Sequence, residues 1–306
     1  MNLLHLKYAV EVAKTGSINK ASETLLIAQP NLSRSIKELE SDLGITIFER
    51  SSKGMSLTPQ GEEFVGYANA ILSQIDSVER MYKKGIPMKR HFSVSVPRAT
   101  YISEAFANFV KGINSDSCEI FYKETNSLRA IKNILYEDYR LGLVRYASTY
   151  EKYYSELFEE KGLRSELIAE FSYVLVARSD SPLTMLREVR YSDLCELIEI
   201  AHADPYVPSL PAAAVKKEEL PDDIRRRVFV FERASQFDLL AENPQVFMWV
   251  SPIPQKTLDR YGLVQIPCVE NNRVYRDVLI YKKDYKLTDM DKSFITEVCL
   301  SKRKYL

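Results

Sequence analysis

Apolar residues recur at helical spacing through the first forty-odd positions of the chain. Leu3, Leu6, Val10 and Ala13 mark one stripe, with Asn2 placed to cap it and Gly16 to supply a left-handed stop. Ser17 caps a second, short helix that packs through Ile18, Ala21 and Leu25. A tight link, Leu26 to Ala28, leads into a third helix with Pro30 in its first turn, where a missing N–H costs little. There Leu32, Ile36, Leu39 and Leu43 share one face and leave Pro30, Ser33, Arg34 and Lys37 pointing away from it. Past Gly44, Ile45 to Phe48 reads as a strand, Ser51 to Gly54 as a polar turn and Ser56 to Thr58 as its return, so Arg50 and Lys53 sit on a small wing.

Thr58 and Pro59 open a longer helix as cap and first residue. Phe64, Ala68, Ile71, Ile75, Val78 and Tyr82 alternate four and three apart, the seam of a coiled coil, bordered by charged residues such as Glu62, Glu63, Asp76 and Glu79. Lys83 to His91, with Gly85 and Pro87 in a basic run, ends that helix as a hinge. The pattern then changes. Phe92, Val94 and Val96 alternate with serines; Ile102, Phe106, Phe109 and Ile113 give a helix; Cys118 to Lys123 reads as a strand, Leu128 to Tyr136 as a helix and Leu141 to Tyr146 as a strand. A second set follows: strands Phe171 to Ala177, Leu197 to His202, Arg227 to Phe231 and Val246 to Val250, with helices Ala212 to Leu220, Ala234 to Asn243 and Pro254 to Tyr261. Strand Tyr275 to Lys282 and a last helix from Thr288 to about Lys302 return to the first lobe.

The N-terminal pattern is that of a winged helix-turn-helix whose third helix presents hydrogen-bond donors suited to a DNA major groove. Gln29 can pair bidentately with adenine and Arg34 with guanine, whereas Ser17, Asn19 and Lys37 suit phosphate oxygens. The blander reading is a helical hairpin with a solvated charged face. Against it stands the agreement of two caps, a short turn, a proline at a helix start, a glycine-ended wing and clustered outward donors.

Residues 1 to 60, and above all QPNLSRSIKELESDLGITIFERSSKGMSLTPQG from Gln29 to Gly61, resemble the DNA-binding domain of LysR-type transcriptional regulators. The resemblance implies that residues matching Gln29, Pro30, Ser33 and Arg34 read bases, and that Arg50 lies along the minor groove with Ser52 and Lys53 beside it. Asn31 and Ala28 depart from the family pattern: Asn31 adds a polar group, and Ala28 stands where a capping hydroxyl is common. The implied architecture is α/β: a winged helix-turn-helix over 1–58, a linker and dimerisation helix with hinge over 59–90, and a two-lobed effector domain over 91–306 like periplasmic solute-binding proteins. Lobe I is expected at about 91–165 and 269–306, lobe II at about 166–268.

Ligands of such sheets bind at the carboxyl ends of strands against helix N-termini. Those ends nominate Thr100, Tyr101, Asn126, Ser127, Arg145, His202, Arg233 and Trp249, with Ser251 beside Trp249. Thr100 and Ser127 are read as helix caps facing the cleft, and Arg145 as a partner for a carboxylate. Singly, each reads better as a cap, a surface charge or a core aromatic; together they suggest a small anionic effector. The acidic residue usual near the third strand in the family is missing from YRLGLVRY.

Length and composition set bounds. A chain of 306 residues with 45% hydrophobic content supports two or three folded domains. The 42 basic and 42 acidic side chains cancel, so a nucleic-acid role rests on where the basic groups lie. Cys118, Cys195, Cys268 and Cys299 lack CxxC spacing and read as free thiols; His5, His91 and His202 lack metal-ligand spacing. No stretch reads as a signal peptide or membrane span, which places the chain in the cytoplasm. No GxSxG, P-loop, GxGxxG or HExxH motif occurs, so an enzyme is not expected, nor a cofactor. The expected partners are operator or promoter DNA, a small-molecule effector, a second copy or a tetramer of the chain, and RNA polymerase, with no membrane. The alternative is a DNA-bound regulator without an effector, acting through protein partners.

Overall fold

The computed structural model describes residues 2–51, 54–83, 90–114, 117–202, 224–231 and 233–306. They form two compact units, Met1–Arg90 with Lys132–Tyr139, and His91–Ile131 with Arg140–Leu306. Among the described residues no helix is long and apolar enough to cross a membrane.

The first unit begins with α1 (Leu3–Thr15), α2 (Ile18–Leu25) and α3 (Gln29–Leu43). Asn2 accepts from the His5 amide, Ser17 from the Lys20 amide, and Gly16 closes α1 at φ 62°. The buried stripe of α1 is Leu6, Ala9 and Val12, with Val10 and Ala13 only partly covered; Leu3, expected inside, is 49% exposed. Ala9, Val12, Ala21, Leu32, Ile36 and Leu39 meet in one core.

Strands β1 (Phe48–Ser51) and β2 (Gly54–Leu57) pair antiparallel as the wing. The first strand starts three residues later than the sequence pattern suggested. Glu40 of α3 explains the delay: its Oε1 accepts from the amides of Ile47 at 2.8 Å and Phe48 at 3.0 Å, so those N–H groups are committed to a helix side chain. Gly61 is forced here, since an added Cβ would stand 2.0 Å from the Ile47 carbonyl oxygen. Helix α4 (Pro59–Lys83) follows, its Thr58 hydroxyl accepting from Gly61 N and donating to Thr46 O. Val65 and Ala68 are buried, whereas Ile71 is 39% and Val78 51% exposed. Most of the expected hinge, residues 84–89, lies outside the described residues.

The second unit holds two five-stranded mixed sheets. One runs β4 (Cys118–Glu124), β3 (Arg90–Val96), β5 (Leu141–Ala147), β12 (Val274–Lys282), β6 (Leu163–Ser172). The other runs β11 (Leu263–Ile266), β7 (Val174–Arg178), β10 (Val246–Val250), β8 (Ile198–His202), β9 (Arg226–Val230). Helices α5 (Thr100–Lys111), α6 (Ser127–Tyr136), α7 (Glu151–Glu160), α8 (Ala234–Glu242), α9 (Gln255–Tyr261) and α10 (Asp289–Tyr305) connect and cover them. Ser93 and Ser95 of β3 are as buried as Phe92, Val94 and Val96, so the alternation does not mark a solvent face; β3 is internal, between β4 and β5.

Helix α7 and strand β6 were not anticipated, and the expected strand 171–177 is two strands parted at Tyr173. The cause is visible in the register. Asp277 pairs with Ala169 and Val278 with Leu167, leaving Ile168 bulged, and the Lys302 ammonium donates to the Ile168 carbonyl. A bulge breaks the two-residue period by which a strand is recognised. Since β6 pairs with β12 along its whole length, the first sheet extends to Ser172, past the lobe boundary expected near residue 165. The expected helix 212–220 lies outside the described residues.

Candidate functional site

On the first unit, α3 buries Leu32, Ile36 and Leu39 and turns its other face to solvent. Gln29, Pro30, Asn31, Arg34 and Lys37 are exposed and Ser33 half-buried. Gln29, Pro30, Ser33, Arg34, Lys37, Glu38 and Ser41 line one shallow concavity. Neither Arg34 nor Lys37 has an ion-pair partner among the described residues, so both guanidinium and ammonium are available to an external anion. Ser17 caps α2 beside exposed Asn19. Ala28, the N-cap of α3, makes no side-chain cap bond, as its methyl dictates. Arg50 stands on β1 opposite Met55; Ser52 and Lys53 lie outside the described residues. Glu40, which ties the root of the wing to α3, was missed: it sits inside an acidic helical run and only its long-range amide contacts single it out.

The cleft residues nominated in the second unit divide into two groups. Arg145 on β5 faces its register partner Asp277 on β12, Nε to Oδ1 at 2.7 Å and Nη2 to Oδ2 at 2.6 Å. Tyr101 donates to Asp277 Oδ2 at 2.5 Å, and Arg145 Nη1 reaches Ser251 Oγ at 3.4 Å. The guanidinium carbon lies 4.7 Å from the Phe171 ring centroid and 5.8 Å from that of Tyr173. Burial opposes the charge of Arg145, but Asp277 outweighs it and holds the pKa above the ordinary arginine value. Burial first, then the Asp277 charge, pushes the Tyr101 hydroxyl well up. Asp277, fully buried on the strand beside β5, is the acidic partner that the sequence reading did not single out. A lone Asp inside VYRDVLIY is the signal that would have found it, since a carboxylate in an internal strand needs a cation.

In the second group Arg233 donates from Nη1 to Glu124 Oε1 at 2.6 Å and from Nη2 to Thr100 Oγ1 at 2.9 Å and Ser103 Oγ at 3.2 Å. Tyr122 also donates to Glu124 Oε1, at 3.2 Å. Thr100 is therefore not the cap it was expected to be: it is the first residue of α5, after Ala99, and its hydroxyl serves Arg233. Nor does Ser127 cap α6. Its hydroxyl donates to Arg145 O at 2.5 Å and accepts from Arg145 N at 3.1 Å, while Asn126 Oδ1 accepts from Arg129 N. His202 ends β8 opposite Val230, and Trp249 of β10 packs with its ring centroid 6.1 Å from that of Tyr191. Arg145 and Arg233, nominated as cationic groups for a ligand anion, are each bonded to a carboxylate of this chain.

Residues 3–62 match the model of the bacterial regulatory helix-turn-helix protein, lysR family. The HTH-type transcriptional regulator YcgK of Bacillus subtilis (strain 168) is 39% identical over 101 residues, 33% of this chain and 31% of that protein. BenM of Acinetobacter baylyi, also an HTH-type transcriptional regulator, is 45% identical over 84 residues, 28% of each chain. The matches thus span about a third or less of the length of these curated relatives. The crystal structure of full-length CbnR complexed with target DNA superposes with a TM-score of 0.58 at 18% identity, covering 98% of this chain and 100% of that one, a likeness of fold. Residues 3–62 thus carry a helix-turn-helix that matches the lysR family, and they are followed in sequence by a two-sheet α/β fold like that of CbnR.

Proposed function

We propose that this protein is a sequence-specific DNA-binding transcriptional regulator of the LysR type, whose binding or activation at promoters is set by a small-molecule effector in the cleft of its second unit. The observation that carries the DNA-binding part is the outward face of α3: Gln29, Arg34 and Lys37 exposed together on a helix whose opposite face is fully buried, within the stretch matching the family's helix-turn-helix. Arg34 and Gln29 read base edges, Lys37, Ser17 and Asn19 fix register on phosphates, and Arg50, Ser52 and Lys53 extend the contact from the wing. The exposure of Ile71 and Val78 on α4 supports pairing with a second copy, which sets two reading helices about one helical turn apart or a multiple of it. Tetramer formation and contact with RNA polymerase extend the same reading. We place the protein in the cytoplasm and assign it no catalysis.

Selection from a randomised duplex pool tests the DNA reading: one enriched half-site motif, with affinity that falls steeply with salt, is the expected result. Uniform recovery of all sequences would remove it. A thermal shift with a metabolite library tests the effector, because a ligand selective for the folded state raises apparent stability by mass action. The internal pairing of Arg145 and Arg233 favours a second reading, a regulator that acts through protein partners with no effector; silence of every metabolite in that screen selects it.

A further inference from the structure

Two arginines reach between the lobes of the second unit, and they differ in how much they can exchange. Arg145 gives two donors to buried Asp277, rests over two aromatic rings and spends Nη1 on Ser251. A ligand anion there competes with a buried carboxylate held by two parallel bonds. Arg233 precedes α8 in the second lobe, where its guanidinium carbon lies 5.7 Å from the Phe237 ring centroid, and its hydrogen-bond partners belong to the first: Glu124 at the end of β4, Thr100 and Ser103 on α5. It takes Glu124 through Nη1 alone and fills Nη2 with two neutral hydroxyls. A planar carboxylate binds a guanidinium best through two parallel bonds, so the single bond to Glu124 is one that a second carboxylate can replace. The pair is also only partly shielded, Arg233 at 14% and Glu124 at 19% side-chain exposure, so ions can reach it from solvent.

We infer that Glu124 and Arg233 form a latch between the lobes, in which Glu124 acts as an internal carboxylate that a carboxylate-bearing ligand must displace from Arg233. The inference rests on the effector reading above and gives it a regulation: the latch holds the unliganded arrangement, and its exchange is the event that moves one lobe against the other. A ligand moves that balance only through its differential affinity for the unlatched form.

Spin labels carried by non-natural residues at exposed Lys111 on α5 and Lys256 on α9 report lobe separation in the full chain. Glu124→Gln and Arg233→Gln are each expected to lengthen or broaden that distance, and the exchanged pair Glu124→Arg with Arg233→Glu to restore it. Acetate, matched in ionic strength against chloride, is expected to lengthen it in the wild type and to do nothing in Arg233→Gln. Wild-type distances in both single variants, folded by circular dichroism, overturn the latch; so does a failure of the exchanged pair to restore the distance, which would assign the effect to packing. If the variants behave as expected and acetate equals chloride, the latch stands and the anionic-effector reading falls. If a metabolite changes DNA binding while the single variants keep the wild-type distance, the reverse holds.

Discussion

Arg145 and Asp277 are cross-strand neighbours on β5 and β12, joined by two parallel N–H to O contacts of 2.7 and 2.6 Å with side chains 9% and 0% exposed. Such a pair resembles a keystone more than a source of net stability, because both charges have left water. Replacing Asp277 by Ala strands a buried cation and is expected to cost about 3–5 kcal/mol. The double variant Arg145→Met with Asp277→Leu, apolar and of similar volume, is expected to lose much less. Urea unfolding of the three proteins measures this. A double variant as unstable as the single one would mean that packing of the aromatic rings on the guanidinium, not charge pairing, holds the site.

The amino-terminal helices were legible because their signals are local. Caps at Asn2, Ser17 and Thr58, glycines at 16 and 44, and the spacing of Leu32, Ile36 and Leu39 each act within a few residues, and all recur in the structure. The cleft was less legible because its partners are remote in sequence: Arg145 finds Asp277 132 residues away, and Arg233 finds Glu124 109 residues away. Hydroxyls at helix starts were read as caps when tertiary partners had claimed them, as at Thr100 and Ser127. Strand β6 was hidden by the bulge at Ile168.

Arg34 and Lys37 lie one helical turn apart on the exposed face of α3, yet different roles follow from their chemistry. The planar fork of Arg34 matches guanine O6 and N7, whereas the ammonium of Lys37 is a point charge suited to phosphate. Arg34→Ala is expected to relax preference at one base pair by about 1–3 kcal/mol, and Lys37→Ala to weaken all sequences alike and reduce the salt slope by about one. Competition binding on operator and random DNA at several salt concentrations separates the two. Equal losses on both DNAs for Arg34→Ala would assign it to the backbone.

Glu40 satisfies the amides of Ile47 and Phe48 with one oxygen. Glu40→Ala leaves two partly buried donors without a partner at the root of the wing and is expected to destabilise the amino-terminal domain by about 2 kcal/mol or more. Glu40→Gln keeps an acceptor in place and should recover most of that loss. Hydrogen exchange at Ile47 and Phe48 reads the effect directly; unchanged protection in the alanine variant would show that the two bonds are dispensable.

In the outer half of α4 two residues of the apolar seam are exposed, Ile71 at 39% and Val78 at 51%, and Ile75 is half-buried. Ile71→Asp with Ile75→Asp places like charges against each other across a paired seam and should yield monomers whose operator affinity falls, because two linked reading heads bind more tightly than one. Light scattering after size exclusion gives the mass. Retention of the wild-type mass by the double variant would move the pairing surface off α4.

Tyr285 donates to Asp291 Oδ2 at 2.6 Å, next to the Thr288 cap of α10. Burial, then the bond to Asp291 and its charge, pushes the phenol up to about 12 from an ordinary 10. The folded state therefore keeps its proton to higher pH than the unfolded chain does. Between pH 10 and 12 the unfolded chain binds fewer protons, so this group's contribution, intact below pH 10, is lost as pH rises through the folded value. Discounted for the partial solvent exposure of the ring, that loss is about 1 kcal/mol. Tyr285→Phe, less stable than wild type at neutral pH by the missing hydrogen bond, should lose less on alkalinisation, and the two stabilities should converge. Urea unfolding of both proteins from pH 9 upward tests this, and parallel curves would show that the phenol titrates alike in the folded and unfolded chains.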